Sequence, residues 1–93
     1  MATGTIKRLN GVQTLTGTAT AGSDGKGTIT FSTPFSSVPT VLFTVVGPTT
    51  SQIFEARPNA ITTTDCTFVV ARYNGSTIAG YAANVSWVAI GPA

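Results

Sequence analysis

The chain has 93 residues, of which 42% are hydrophobic and only 9% are charged, with a formal net charge of +2. A chain of this length forms a single domain with a modest core, and its five basic residues form no continuous stripe for nucleic acid. Its apolar runs are much shorter than the roughly 18 residues that cross a bilayer, so we expect no membrane insertion.

The first ten residues contain Thr, Gly and charge where a signal peptide would have an apolar segment of about 7–15 residues. We therefore expect synthesis in a cytoplasm without export. Residues 1–11 are predicted to form an N-terminal arm or edge strand, in which Lys7 and Arg8 discourage stray strand pairing. Residues 12–93 are predicted to form the domain.

Residues 12–32 are predicted to form one β-hairpin. From Val12 to Thr20, threonine alternates with smaller or apolar residues, so only one face of this strand can join a core. Asp24 and Gly25 supply the residue types that tight turns demand. The stretch from Gly27 to Ser32 then returns as the second strand.

Thr40 to Val46 is an almost continuous apolar run, which is typical of a central strand buried on both faces. Cover on the second face would come from a neighbouring subunit, so this run favours an oligomer. Pro34 and Pro39 bracket the connection that precedes it, because neither can donate to a strand ladder.

Two further strands are predicted in the middle of the chain. Gln52 to Arg57 alternates in polarity and is predicted to end at Pro58, which is followed by a short strand from Ala60 to Thr63. Cys66 to Tyr73 is the next strong strand.

Asn74 and Gly75 give the strongest short hairpin signal in the chain. Residues 76–82 are predicted to form a loop with a short edge strand, and Ala83 to Ile90 a closing strand centred on Trp87. The whole pattern predicts an all-β fold, an antiparallel β-sandwich of about six to eight strands. Four aromatic side chains are predicted to point into its core: Phe31, Phe43, Phe68 and Trp87.

The residue inventory leaves little for catalysis, with three acids, one cysteine and no histidine. Asp24 and Asp65 are interpreted as turn residues, and Glu55 as an exposed strand residue. Cys66 begins an apolar run and is interpreted as a small buried hydrophobe. We therefore expect no enzyme activity, no catalytic residue, no cofactor and no metal site.

The remaining chemistry is binding. Arg72, Tyr73 and Asn74, with Tyr81 a few residues later, would bring a guanidinium, aromatic rings and an amide to one end of the sandwich, as sugar recognition requires. In the alternative interpretation, Asn74 is only a turn residue and Tyr73 only anchors a strand end. Glu55 and Arg57 lie on the same face of one strand. We expect them to pair either across a subunit interface or in an ordinary surface ion pair.

Several segments resemble the H-type lectin domain, and together they cover residues 27–91, about two thirds of the chain. The segments are Gly27–Phe31 with Pro34 and Phe35, then Val38–Val41, Ile61–Val70 and Val85–Gly91. The resemblance implies a sandwich of six or seven antiparallel strands and a parallel homotrimer. It also implies sugar bound near subunit boundaries, with Tyr73 as the aromatic and Arg57 or Arg72 as the arginine.

Domains of this kind occur in invertebrate agglutinins and, in looser form, in bacteriophage tail and fibre proteins. We therefore predict a non-enzymatic structural or adhesion module of a bacteriophage virion, either a capsid decoration or cement protein or a fibre or tail component. It would be made in the host bacterial cytoplasm, form a homotrimer and bind other virion proteins through the N-terminal arm, with cell-surface glycan as a further candidate partner.

The alternative prediction is a free H-type-like lectin that binds carbohydrate. A scaffold or inhibitor acting on host proteins is a third class, and no feature of the sequence favours it.

Overall fold

The computed structural model describes residues 7–9, 11–46, 53–74, 77–80 and 82–93. These residues contain eight β-strands and no helix, and therefore no helix that is long and apolar enough to cross a membrane. The strands are β1 (Lys7–Leu9), β2 (Val12–Thr20), β3 (Lys26–Thr30), β4 (Thr40–Val46), β5 (Ile53–Ile61), β6 (Asp65–Asn74), β7 (Thr77–Gly80) and β8 (Asn84–Pro92).

The strands pair antiparallel in two sheets. The first sheet has the order β1-β2-β8-β4, and the second has the order β3-β6-β5 with β7 also paired to β6. Alternate residues of both sheets face each other and form a common core, so the architecture is a β-sandwich. The predicted all-β, antiparallel fold is confirmed.

Aromatic rings occupy the centre of this core. Trp87 lies midway along β8, and its ring centroid is 6.0 Å from that of Phe31. Phe43 and Phe68 bring rings from the two sheets to a centroid distance of 5.2 Å. Phe31, Phe68 and Trp87 are buried and Phe43 is partly buried, so the predicted inward orientation of all four is confirmed.

The predicted hairpin over residues 12–32 is wrong. β2 pairs with β1 and β8, whereas β3 pairs with β6 in the other sheet. The turn itself is present, with Gly25 at a φ of 83°, but it carries the chain from one sheet to the other. All nine residues of β2 find partners on β8, and this long-range pairing outweighs pairing with the strand that follows the turn.

β4 is an edge strand rather than a central one. Val41 is buried, but the adjacent Leu42 is 57% exposed. The run of apolar residues therefore reflects one face that packs in the core and one face that the described residues leave uncovered.

Pro58 does not end its strand. β5 continues to Ile61, and its register against β6 shifts between Pro58 and Ala60, so that Asn59 is the extra residue of a bulge. β5 lies at the edge of its sheet, where the missing proline N–H costs no ladder hydrogen bond. The predicted short edge strand after Asn74 is confirmed as β7, with Asn74 opposite Thr77.

One buried amide joins a loop to the first sheet. Gln13 is fully buried, and its side-chain nitrogen donates hydrogen bonds to the carbonyl oxygens of Thr33 at 2.9 Å and Pro34 at 3.4 Å. These bonds hold the connection between β3 and β4 against β2. They satisfy a polar group that would otherwise be costly inside the core.

We expect Trp87→Ala to lower the free energy of unfolding by about 3–5 kcal/mol, because it leaves a large cavity between the sheets. A small domain has only about 5–15 kcal/mol of total stability, so the variant should be largely unfolded on mild heating. Urea unfolding followed by circular dichroism measures the change.

Trp87→Phe is the matched control. The buried Trp87 Nε1 has no hydrogen-bond partner within the described part of the chain, so phenylalanine removes volume without breaking a bond there. The cost should be clearly smaller than that of alanine. Equal losses for the two variants would contradict the packing role.

Candidate functional site

A groove of about 460 Å³ lies on the outer face of the second sheet. It brings together charged and aromatic side chains from four parts of the chain. Its lining residues are Asp24 from the turn before β3, Glu55 and Arg57 from β5, Val69, Ala71 and Tyr73 from β6, and Gly80 from β7.

Strand register explains how β5 and β6 build the floor. Glu55 lies opposite Ala71, and Arg57 lies opposite Val69. Directly opposite residues of an antiparallel pair share one face, so the small side chains of β6 leave room beside the long ones of β5. The two charged side chains of β5 therefore project beside a surface formed by small apolar side chains of β6.

The turn before β3 places Asp24 at the groove. β3 covers Asp65–Val69 on one edge of β6, and β7 covers Ala71–Asn74, which leaves Val70 between them. The Val70 N–H donates to the Gly25 carbonyl at 2.6 Å, so the turn fills the gap between β3 and β7.

Two further features fix the turn in this position. The Lys26 N–H donates to Asp24 Oδ1 at 3.0 Å. Gly80 of β7 packs so tightly against the turn that a Cβ there would overlap the Asp24 carbonyl oxygen. Glycine at position 80 is therefore what lets the Asp24 carboxylate stand beside the groove floor.

Tyr73 and Glu55 are joined by a hydrogen bond. The Tyr73 hydroxyl donates to Glu55 Oε2 at 2.7 Å, and this bond, with the negative charge of Glu55, raises the pKa of Tyr73 above its ordinary value of 10. The positive charge of Arg57 acts in the opposite direction. The phenol is therefore held as a neutral donor next to a guanidinium and a carboxylate.

The structure brings together two of the sequence-predicted binding residues, Arg57 and Tyr73. Arg72 is the neighbour of Tyr73 on β6, so it lies on the opposite face of the strand, where it is half-buried beside Phe54 in the register. Arg72 and Tyr73, which the sequence predicted to act together, therefore lie on opposite faces of β6. The backbone of Asn74 ends β6; the side chain of Asn74 and the whole of Tyr81 lie outside the described residues.

Sequence reasoning missed Asp24 and Glu55 as groove residues. Glu55 could have been found, because it is two residues from Arg57 on a strand and must share its face. Asp24 could not, since its position depends on β3 and β7 lying end to end along β6.

The described residues offer no reactive nucleophile in this groove. Cys66 is fully buried on the opposite face of β6, and burial, with a smaller contribution from the charge of Asp65, raises the pKa of its thiol to about 11. Within the described ranges, no group of three or more acidic, Cys or His side chains is placed to hold a metal ion. The arrangement suits recognition by hydrogen bonds and an aromatic face.

Comparison with known proteins gives a family and related solved structures. The sequence model of the H-type lectin domain matches residues 26–90, which span β3 to most of β8 and leave β1 and β2 outside. The fold is similar to that of the N-truncated R1-type pyocin tail fibre, with a TM-score of 0.63 and 23% identity over 96% of this chain and 85% of that chain. No curated protein matches the chain.

We expect Glu55→Gln to lower the pKa of Tyr73, because it weakens the hydrogen bond that holds the phenol proton and removes the negative charge that disfavours the tyrosinate. The raised pKa means that this group stabilises the fold fully below about pH 10 and loses that contribution at higher pH. Ultraviolet titration of tyrosinate absorbance measures the change in midpoint. Asp65→Asn serves as control and should leave the titration unchanged; an identical curve for Glu55→Gln would contradict the hydrogen bond.

Proposed function

Because the chain belongs to the H-type lectin domain family, we propose that it is a non-enzymatic attachment module of a tail-fibre-like virion structure. In this proposal it works as a homotrimer, with one sheet turned towards the other subunits and the groove presented to cell-surface glycan. The observation that carries the proposal is the distribution of charge between the two sheets.

The outer face of the first sheet has no charged side chain among the residues whose side chains are described. It is formed by Val12, Thr14, Thr16, Thr18 and Thr20 of β2, Asn84, Ser86, Val88 and Ile90 of β8, and Thr40, Leu42 and Thr44 of β4. All charged side chains that the structure describes come from the second sheet or the turn before it: Asp24, Lys26, Glu55, Arg57, Asp65 and Arg72.

Lys7 of β1 lies opposite Thr14 at the edge of this face, and the described centre of the face is apolar. Val88 lies between Thr16 and Leu42 in the register, with Ile90 two residues further along β8. Leu42 and Ile90 are 57% and 41% exposed. Depletion of charge around exposed aliphatic side chains is typical of the core of a protein interface.

This face is best suited to contact with a second copy of the same chain. The family resemblance implies a parallel homotrimer, and closed symmetry would bring the face of each copy against its neighbours. The protomer is 45 Å long and 21 Å across, a shape that suits side-by-side packing along a fibre axis.

The groove lies on the outer face of the other sheet, so packing through the first sheet would leave it accessible, away from the subunit boundaries at which the family resemblance places the sugar. Arg57, Tyr73 and the two carboxylates offer donors, acceptors and an aromatic face, which together suit the hydroxyls and ring faces of a sugar. This chemistry supports glycan recognition as the binding function.

The likeness to a pyocin tail fibre favours a fibre component over a capsid decoration protein, and a virion as the location. The N-terminal residues 1–11, of which Lys7–Leu9 form the edge strand β1, are proposed to contact other virion proteins. A free lectin is the alternative, and it shares the groove and the trimer. Mass spectrometry of purified virions distinguishes the fibre component from the free lectin, because only the fibre component must be present in the virion.

We expect the purified chain to sediment as a trimer, at close to three times its 9.5 kDa mass. Leu42→Lys should shift it towards the monomer, because three ammonium groups would be brought into the contact between subunits. Analytical ultracentrifugation at micromolar concentration measures the change.

Thr30→Lys adds the same charge at an exposed position of β3 on the second sheet, and should leave the trimer intact. A wild-type chain that is monomeric at these concentrations would contradict the proposed assembly.

We expect the wild-type protein to bind a subset of glycans on a bacterial polysaccharide array, and Arg57→Gln to reduce that signal by at least about fivefold through loss of a charged hydrogen-bond donor. Thr30→Ala, at an exposed position of β3 outside the groove, is the control for folding and labelling. An array with no wild-type signal, or an Arg57→Gln signal equal to the wild type, would argue against the groove as the glycan site.

A further inference from the structure

A second groove, of about 320 Å³, lies on the same outer face as the first. Six of the residues that line it are Asp24, Lys26, Thr28, Asn59, Thr67 and Val69. Asp24 and Val69 line both grooves, so the two are contiguous across the middle of β6.

The combined floor is longer than a single sugar ring requires. It follows the outward residues of β6 from Thr67 to Tyr73, and six strand steps of about 3.3 Å give a length of roughly 20 Å. Asp24 lies beside the middle of this path, next to Val69 and Ala71. A ligand that filled both grooves would be an extended chain.

The charges of the two grooves cancel. Asp24 and Glu55 supply two carboxylates, and Arg57 and Lys26 supply two cations. A polyanion such as nucleic acid or an acidic polysaccharide would meet carboxylates at the centre of the path, where like charge is repelled. An uncharged chain rich in hydroxyl groups fits this balance better.

The second groove has positioned hydrogen-bonding groups of its own. Asn59 is the bulged residue of β5, and bulges commonly redirect a side chain towards a functional surface. The bulge is anchored from β6, because the Ala60 N–H donates to the Thr67 hydroxyl at 3.1 Å. Asn59 itself is exposed, so its amide is accessible to a ligand.

We infer that the two grooves form one extended site for a linear, uncharged oligosaccharide of at least two sugar units. One unit lies in each groove, and Asp24 contacts both. Tyr73 and Arg57 hold the first unit, while Asn59 and Lys26 hold the second. The inference rests on the glycan-binding function proposed above and specifies its ligand class.

Calorimetric titration with soluble oligosaccharide series of one to six units tests this site. The probes are the chitin, cellulose and maltose series, together with the corresponding fragments of any polysaccharide that binds on the array. Affinity should rise by about tenfold or more between one unit and two or three units, and then level off.

Variants separate the two grooves. Asn59→Ala and Lys26→Ala should weaken binding of the two- and three-unit ligands by about three- to tenfold, the worth of one hydrogen bond, and leave single sugars unaffected. Arg57→Gln should weaken ligands of every length. Thr30→Ala, on β3 but outside both grooves, is the control, and circular dichroism checks that each variant is folded.

Affinity that does not increase with length, or equal losses for short and long ligands in Asn59→Ala, would overturn the extended site while leaving glycan binding in the first groove. Absence of binding at every length in the wild-type chain would overturn the glycan function together with the extended site.

Discussion

The structure of the candidate binding face depends on how the two edges of β6 are filled. β5 covers one edge, and β3 and β7 share the other, with the Gly25 carbonyl bonded to the Val70 N–H at their junction. This bond, with the close packing of Gly80 against the turn, places Asp24 beside the strand that carries Tyr73. A backbone contact therefore determines which side chains meet, and Gly80 is required because the turn approaches β7 too closely for any side chain.

Most of the β-sandwich could be predicted from alternation in the sequence, and its connectivity could not. The spacing of Leu15 on β2 and of Val85 and Trp87 on β8 correctly indicates which faces are buried. A turn signal such as Asp24-Gly25 indicates that the chain reverses direction. It does not identify the strand with which the next strand pairs, because that pairing depends on contacts between residues distant in sequence. For the same reason β4 resembles a central strand although it lies at an edge, and Pro58 resembles a strand end although a bulge accommodates it.

The candidate site likewise contains some residues that could be predicted from the sequence and others that could not. Residue chemistry selected Tyr73, because a phenol at a strand end suits a sugar ring, whereas Arg57 entered as a binding residue only through the family resemblance. Assigning Arg72 to the same cluster neglected the twofold alternation of a strand, which places neighbours on opposite faces. Asp24 needed the tertiary structure, since about thirty residues of chain separate it from Glu55.

β4 has a consequence for how the protein must be made. It ends the first sheet with seven residues that include no charge and no proline, and within the described residues nothing pairs with its outer edge. Strands of this kind recruit other strands indiscriminately unless they are guarded. An isolated chain therefore carries an edge to which strands of misfolded molecules add, and the yield of soluble protein falls as the concentration of partly folded chains rises.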